Sequence, residues 1–377
     1  MKRLRVLHLN TERGFRGGEA QTLLLAAGLR ARGHECLIAG AAGAPLAERA
    51  QAAGVAVWTR QVRGELDLPA IAALAREIGR FRPDLMHFHT SHAVTLGTAA
   101  GLIASPLRRI PAVLTRRVSF SLARNPLARL KYRFRIDHLI AVAEGVRWVL
   151  IREGIEPERI TVIHSGIDLA RFAGEERVAR ARALRRELQI PESAYVIGAA
   201  GALVAHKGLG TLVDAFGVLA RERPDARLLL AGEGPERGPL TERARAAGCA
   251  DSVVFAGWRD DIPAVMSALD LLVLPSVSGE GSPAVVKEAM ACGVPVVAAD
   301  LDGVREIVED GVEALLVKPG SAEAIAGAVR AVSTDAALRE RLVTRGRTRV
   351  ADFSAERMVE RTLEVYERVL GPRRGAA

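Results

Sequence analysis

Two glutamates eight positions apart, Glu280 and Glu288, bracket the start of an apolar helical stretch in EGSPAVVKEAMACGVPVV, residues 280–297. Ser282 followed by Pro283 reads as an N-cap and first helical residue, since serine can accept from an orphan amide while proline brings a helical φ without an N–H. Glu280 then falls in the loop before the helix and Glu288 within it. Ala284, Val285, Val286, Ala289, Met290, Ala291 and Cys292 make that helix apolar nearly all round, so the Glu288 carboxylate needs hydrogen-bond donors from elsewhere. Free amides at a helix start suit an anion such as a diphosphate, and a carboxylate on either side suits neutral hydroxyl groups. A nucleotide sugar, with two polyhydroxylated rings flanking a pyrophosphate, has that chemistry.

Three other stretches carry polar groups where loops follow apolar runs. In NTERGFRGGEAQ, Gly17 and Gly18 stand just before a helix, where paired glycines let a backbone approach a phosphate or simply form a turn; the G-x-G-x-x-G spacing of a dinucleotide site is absent. In DLMHFHTSHA, residues 84–93, alternation puts His87 and His89 on the same side of a strand end, with His92 in the loop that follows. Three histidines suggest a metal, but no cysteine or carboxylate cluster accompanies them, and the expectation is no metal. In GALVAHKG, residues 201–208, Lys207 is a cation that can neutralise a pyrophosphate. Asp300 and Asp302 form a D-x-D, and Asp168 stands in HSGID.

The elements that must position these groups follow from the hydrophobic pattern. RVLHLN (5–10), ECLIAG (35–40), VAVWT (55–59), DLMHFH (84–89), AVLTRR (112–117) and HLIAVA (138–143) read as strands separated by helices. A helix-forming pause at 168–194 precedes a second series: YVIGAAG (195–201), ARLLLAG (226–232), VVFAG (253–257), LLVLPS (271–276), PVVAA (295–299) and ALLVK (314–318). Near-continuous apolar strands alternating with helices imply parallel sheets covered on both faces. The expected fold class is α/β, two Rossmann-like domains in tandem whose sheets face one another across a cleft. The domains are expected at 1–170 and 171–353, with the amphipathic helix 354–370 completing the first. Ligands bind beyond the carboxyl ends of such strands, where the candidate residues lie.

With those motifs in view, E-x7-E followed by EAMACGVPVVA resembles the signature of the retaining, metal-independent family-4 glycosyltransferases of GT-B fold, and the resemblance covers nearly the whole chain. It implies that Glu280 contacts the transferred sugar and Glu288 the ribose hydroxyls. It further implies that the backbone of Gly281, Ser282, Pro283, Ala284 and Val285 meets sugar and phosphates, and that Gly17 and Gly18 lie beside the donor diphosphate or the acceptor. His89, the second histidine of an H-x-H strand end, would reach the donor sugar, leaving His87 as a core histidine. The family pattern has an arginine five positions before the lysine, and here that position is Ala202. Arg237 and Asp261 sit in loops that the resemblance places around the nucleobase and sugar. The implied reaction moves a sugar from a nucleotide donor, a UDP-sugar favoured, to a hydroxyl of a cell-surface glycan or glycolipid precursor such as lipopolysaccharide core, without cofactor or metal. A GT-B epimerase or hydrolase is the alternative. A two-lobed solute-binding protein would be exported, and a tandem NAD-dependent dehydrogenase would carry its glycine fingerprint.

Charge narrows the partners. The chain has 53 basic and 44 acidic residues, but residues 1–170 hold 25 against 14, or +11, and residues 171–377 hold 28 against 30, or −2. The densest segment, 116–135, has Arg116, Arg117, Arg124, Arg129, Lys131, Arg133 and Arg135 interleaved with Phe120, Tyr132, Phe134 and leucines, and no acid. That mixture suits an anionic membrane surface, or a solvated basic face. With aromatics at 4% and no stacking platform, nucleic acid is not expected. Cys36, Cys249 and Cys292 lie far apart without a disulfide or zinc pattern, the opening MKRLRVLHLN breaks too early for a signal-peptide core, and no run reaches the roughly 20 apolar residues of a membrane span. The expected location is cytoplasmic, peripheral on the inner face of the cytoplasmic membrane where the basic segment engages lipid.

Overall fold

The computed structural model describes residues 3–64, 66–107, 109–117, 132 and 135–371. It divides into two compact units, residues 1–166 with 355–377, and residues 167–354. Both units are α/β with parallel sheets, as the hydrophobic pattern requires.

In the first unit, strands β1 (Arg5–Asn10), β2 (Glu35–Ala41), β3 (Ala56–Arg60), β4 (Leu85–Phe88), β5 (Ala112–Arg116), β6 (His138–Ala141) and β7 (Ile160–Val162) form one sheet in the order 3-2-1-4-5-6-7. The three-residue β7 is too short to stand out as an apolar run. Alternation sorts the core: Leu7, Leu9, Phe88 and Leu114 pack on one face with Ile71, Leu74, Ile78 and Val94. Val6, Ile38, Leu85 and Val113 pack on the other, against Leu25 and Leu29 of the helix Gly17–Ala31 and Val359, Leu363 and Tyr366 of the helix Ala355–Leu370. His8 shares its parity with Val6, and the register pairs His8 with His87. A polar stripe therefore runs under those two helices on an otherwise apolar face.

The second unit repeats the plan with β8 (Tyr195–Ala200), β9 (Ala226–Ala231), β10 (Val253–Gly257), β11 (Leu271–Leu274), β12 (Val296–Ala299) and β13 (Leu315–Val317), in the order 10-9-8-11-12-13. Ile197, Leu228, Val273 and Val297 face Leu212, Phe216, Ile325 and Val329; Val196, Leu229, Leu272 and Val296 face Val286, Met290, Val304 and Phe353. In each sheet the direction of strand addition reverses beside its first strand, between β1 and β4 and between β8 and β11. That reversal opens a crevice beyond the strand ends, the usual ligand site of such sheets. Among the described residues, no helix is long and apolar enough to cross a membrane.

The 116–135 segment corrects one expectation. Residues 118–131, 133 and 134 lie outside the described residues, but Arg116 ends β5 with only 8% of its surface exposed and Tyr132 is 1% exposed. Arg116 Nη1 donates to the Tyr132 hydroxyl at 3.4 Å. Strand-end burial takes these two, and much of Arg117, out of any surface that could meet lipid, while Arg135 is exposed.

Candidate active site

The β8–β11 crevice is lined by Gly201, Ala202, Leu203, Lys207, Val273 and Pro275. Lys207 reaches it from a short 3-10 turn, Ala205–Lys207, that closes on Gly208. Gly208 has φ +64°, and a Cβ there would sit 2.1 Å from the Pro275 carbonyl oxygen, so the lysine turn lies against the end of β11 only because this residue is glycine. Val277 N–H donates to the His206 carbonyl at 2.9 Å, binding the two loops together. Across that junction Lys207 Nζ donates to Glu280 Oε1 at 2.6 Å, and the buried Ser276 hydroxyl donates to the same oxygen at 2.5 Å. The Glu280 side chain is 6% exposed and that of Lys207 26%. The carboxylate is thus held by one cation and one hydroxyl, while the ammonium has two more N–H groups to offer. On the other side of the loop Gly303 lies so close that a Cβ there would meet the Glu280 and Gly281 carbonyl oxygens at 2.2 and 2.3 Å.

The helix that follows begins one residue later than the sequence suggests. It runs Ala284–Cys292, with Pro283 at the N-cap position and no side chain capping it. Ser282 is not the cap; its hydroxyl instead faces the fully buried Lys287, whose Nζ donates to Ser282 Oγ at 2.8 Å and sits 5.2 Å from the centre of the Phe353 ring. Burial lowers Lys287 to about 7, with Glu288 opposing. The first-turn amides at Ala284 and Val285, both half-buried, are left without a side-chain cap. Glu288 lies in the middle of this helix, where burial raises its carboxyl to about 7 against the attraction of Arg171 and Lys287.

At the β1–β4 crevice of the first unit, three histidines converge, and one was not foreseen. His8, His87 and His89 are all buried, with ring nitrogens within 4.8 Å of one another. His92 is not among them: Thr90 Oγ1 accepts from Ala93 N–H at 3.2 Å and starts the helix Ser91–Ala104, so His92 falls in its first turn rather than in a loop. His87 stacks on His89 with ring centres 4.3 Å apart and bonds the Tyr366 hydroxyl at 2.6 Å and Thr115 Oγ1 at 2.7 Å. Both its nitrogens are thereby engaged in tying the sheet to the C-terminal helix, the core role expected of it. His89 Nε2 meets His8 Nδ1 at 3.1 Å, and its Nδ1 meets Arg117 Nη2 at 3.3 Å. Burial lowers His8 to about 3 and holds His87 and His89 well below the usual imidazole range, with neighbouring positive charge adding to it, so the cluster is neutral at pH 7. Gly17 and Gly18 open the helix beside it. Glu19, 5% exposed, accepts from Asn10 Nδ2 at 3.2 Å and from the Arg16 N–H at 3.0 Å. His8, Glu19 and Arg117 escaped sequence reasoning; the one signal was that His8 and Asn10 interrupt an apolar strand on the same face.

The remaining candidates make local contacts. Asp300 pairs with Arg305 through both carboxylate oxygens, Nε donating to Oδ1 and Nη2 to Oδ2. Asp168 accepts from the Ala170 N–H at the start of a short helix, and Asp261 caps the helix Ile262–Ser267. Arg237 lies over the Phe255 ring at 5.7 Å, and Ala202 is exposed with no arginine in its place.

Comparison with known proteins matches residues 15–171 to the family described as Glycosyltransferase Family 4 and residues 181–349 to Glycosyl transferases group 1. The chain is 31% identical over 318 residues to the 2-deoxystreptamine glucosyltransferase of Streptomyces kanamyceticus, covering 78% of this chain and 80% of that one. It is 35% identical over 198 residues to the lipopolysaccharide core biosynthesis glycosyltransferase LpsE of Rhizobium meliloti, covering 52% of this chain and 56% of the relative. Its fold superposes on Anabaena Alr3699/HepE in complex with UDP-glucose with a TM-score of 0.85 at 25% identity, covering 96% and 99% of the two chains.

Proposed function

The chain belongs to the glycosyltransferases of GT-B fold, and from that premise we propose that it transfers a hexose from a UDP-sugar to a hydroxyl of a cell-surface glycan or glycolipid precursor, with retention of anomeric configuration and without metal. The observation that carries this reading is the Glu280–Lys207–Ser276 cluster beside an uncapped helix start at the strand-end crevice of the second unit. Relatives named for 2-deoxystreptamine and for lipopolysaccharide core biosynthesis support the transfer; the HepE complex supports UDP.

In the proposed donor complex, the diphosphate accepts from the amides of Ser282, Ala284 and Val285 and from the spare Lys207 N–H groups. Glu280 and the Gly281 backbone meet the sugar, and Glu288 accepts from the ribose hydroxyls. The acceptor oxygen bonds to the anomeric carbon on the face from which the nucleotide leaves. The bond from that carbon to the phosphate oxygen breaks, and the departing phosphate takes the acceptor's proton. Lys207 and the helix amides hold the charge that develops, the electrostatic task of such a transfer. Pro283 supplies no N–H and fixes the loop. The first unit, with Gly17, Gly18 and His89, is proposed as the acceptor side.

The test is thermal stabilisation by UDP-, GDP- and ADP-sugars followed by product analysis with and without a saccharide acceptor. A rise specific to a UDP-sugar, with transfer that needs acceptor and keeps configuration, is the expected result. UDP release that ignores the acceptor marks a hydrolase, and no stabilisation by any nucleotide sugar overturns the reading.

Glu288 gives a pH prediction. Its carboxyl titrates at about 7 in the free protein, and ribose hydroxyls favour the ionised form, so donor binding releases a proton below that point. UDP-glucose affinity should strengthen as pH rises from 6 to 8, by at most about tenfold per unit below 7, and level off above. Calorimetry of UDP-glucose binding across that range checks it: Glu288→Gln flattens the profile, and a flat wild-type profile contradicts the assignment.

We also propose that the basic first unit contacts anionic lipid. Sedimentation with phosphatidylglycerol vesicles, reversed by high salt, is the expected outcome; equal recovery with phosphatidylcholine vesicles argues against it.

A further inference from the structure

The hydrogen bonds around His89 have a direction. Arg117 can only donate, so the 3.3 Å contact from its Nη2 makes His89 Nδ1 an acceptor without a proton. The proton of the neutral ring is then on Nε2, which donates to His8 Nδ1 at 3.1 Å and leaves the His8 proton on Nε2. Both nitrogens of His89 are spent, and neither is turned to a ligand.

Arg117 is in the opposite condition. Among the described residues, its Nε and Nη1 are buried with no hydrogen-bond partner. Its stem lies over Gly18, where a Cβ would come within 3.8 Å of Arg117 Cδ, and nothing lies within 4 Å of a Cβ at Gly17. Glu19 attracts the guanidinium, yet its two oxygens serve Asn10 and the Arg16 amide. Burial lowers Arg117 only to about 10, so it is a cation at neutral pH. Idle buried donors on a partly buried cation carry a desolvation cost that an anionic oxygen would offset.

We propose that Arg117 is the anion-holding residue of the first unit, binding a phosphate-type oxygen beside Gly17 and Gly18, and that His89 is the positioning residue that orients it. This rests on the glycosyltransferase reading and deepens it. The anion has two possible sources, the phosphates of a nucleotide or an anionic group on the acceptor, and both present the same oxygen chemistry.

Calorimetry with UDP, uridine and inorganic phosphate on wild type and Arg117→Gln separates them. Loss of about tenfold or more in UDP affinity with uridine binding unchanged assigns the anion to a nucleotide's phosphates. Unchanged UDP affinity with loss of saturable phosphate binding assigns it to an acceptor group. UDP and phosphate binding both unchanged in Arg117→Gln overturns the proposal, while UDP binding by the wild type separately checks the reading it rests on. The positioning role predicts that His89→Leu loses UDP or phosphate affinity as Arg117→Gln does, that His89→Asn, whose side-chain oxygen can replace Nδ1, recovers most of it, and that His89→Leu adds little in the Arg117→Gln background. Should these variants fold poorly, ¹⁵N spectra of the wild-type histidines serve instead. His89 is expected with unprotonated Nδ1 and a shift on adding UDP or phosphate, and no shift at saturation contradicts the proposal.

Discussion

Glu280→Gln is expected to lower kcat by about 10²–10³-fold while leaving the dissociation constant for UDP within a factor of about three. Glutamine keeps the shape and an oxygen that can accept from Lys207 and Ser276, so the loop 275–283 should stand and UDP should still bind. What disappears is a negative charge, 2.6 Å from Lys207 in the free protein, placed where the proposed mechanism needs it to oppose positive character on the transferred sugar. That charge matters more in the transition state than in the ground state, which is why the loss should fall on turnover rather than affinity. Steady-state kinetics with a UDP-sugar and direct titration of UDP on the same preparation check it. Equal turnover in the variant would remove Glu280 from the chemistry.

Lys207→Met should cost a comparable factor in kcat and, unlike the first change, should also weaken UDP binding and lower the melting temperature. The ammonium has one N–H on Glu280 and two available for phosphate oxygens, so it serves both the bound diphosphate and the leaving group. Removing it strands a carboxylate that is 6% exposed, with the Ser276 hydroxyl as its remaining described partner, at a cost of about 1–3 kcal/mol. The double variant Lys207→Met/Glu280→Gln should regain part of the lost stability, because no unpaired charge is then left in the loop, while its activity should be no better than that of Lys207→Met alone. Full additivity in both stability and kcat would mean that the two residues do not act as a pair.

The second unit was the more legible half of the site because its chemistry is written locally. Lys207 follows one apolar run and Glu280 another, a glycine sits where the turn must pass a neighbouring backbone, and a helix starts where Ser-Pro says it should, to within one residue. At that one-residue difference the serine hydroxyl accepts from the buried Lys287 rather than from a helix amide. The first unit was less legible because its polar cluster depends on register. His8 and His87 are 79 positions apart and meet only because β1 and β4 pair directly, and Arg117 joins them from the end of β5. Composition alone grouped Arg116 and Arg117 with a basic, lipid-facing segment. Their position at the end of a central strand puts one under Tyr132 and the other beside His89. Seven strands of the first sheet and six of the second were nearly all visible as apolar runs between helices; β7, three residues long, was the exception.

The most direct test is a crystal structure with an intact UDP-sugar bound. It should place Glu288 within hydrogen-bond distance of the ribose hydroxyls, Glu280 within reach of the sugar, and Lys207 with the amides of Ala284 and Val285 on the diphosphate. Both carboxylates turned away from a well-ordered UDP-sugar, or a diphosphate held away from this helix start, would contradict the account.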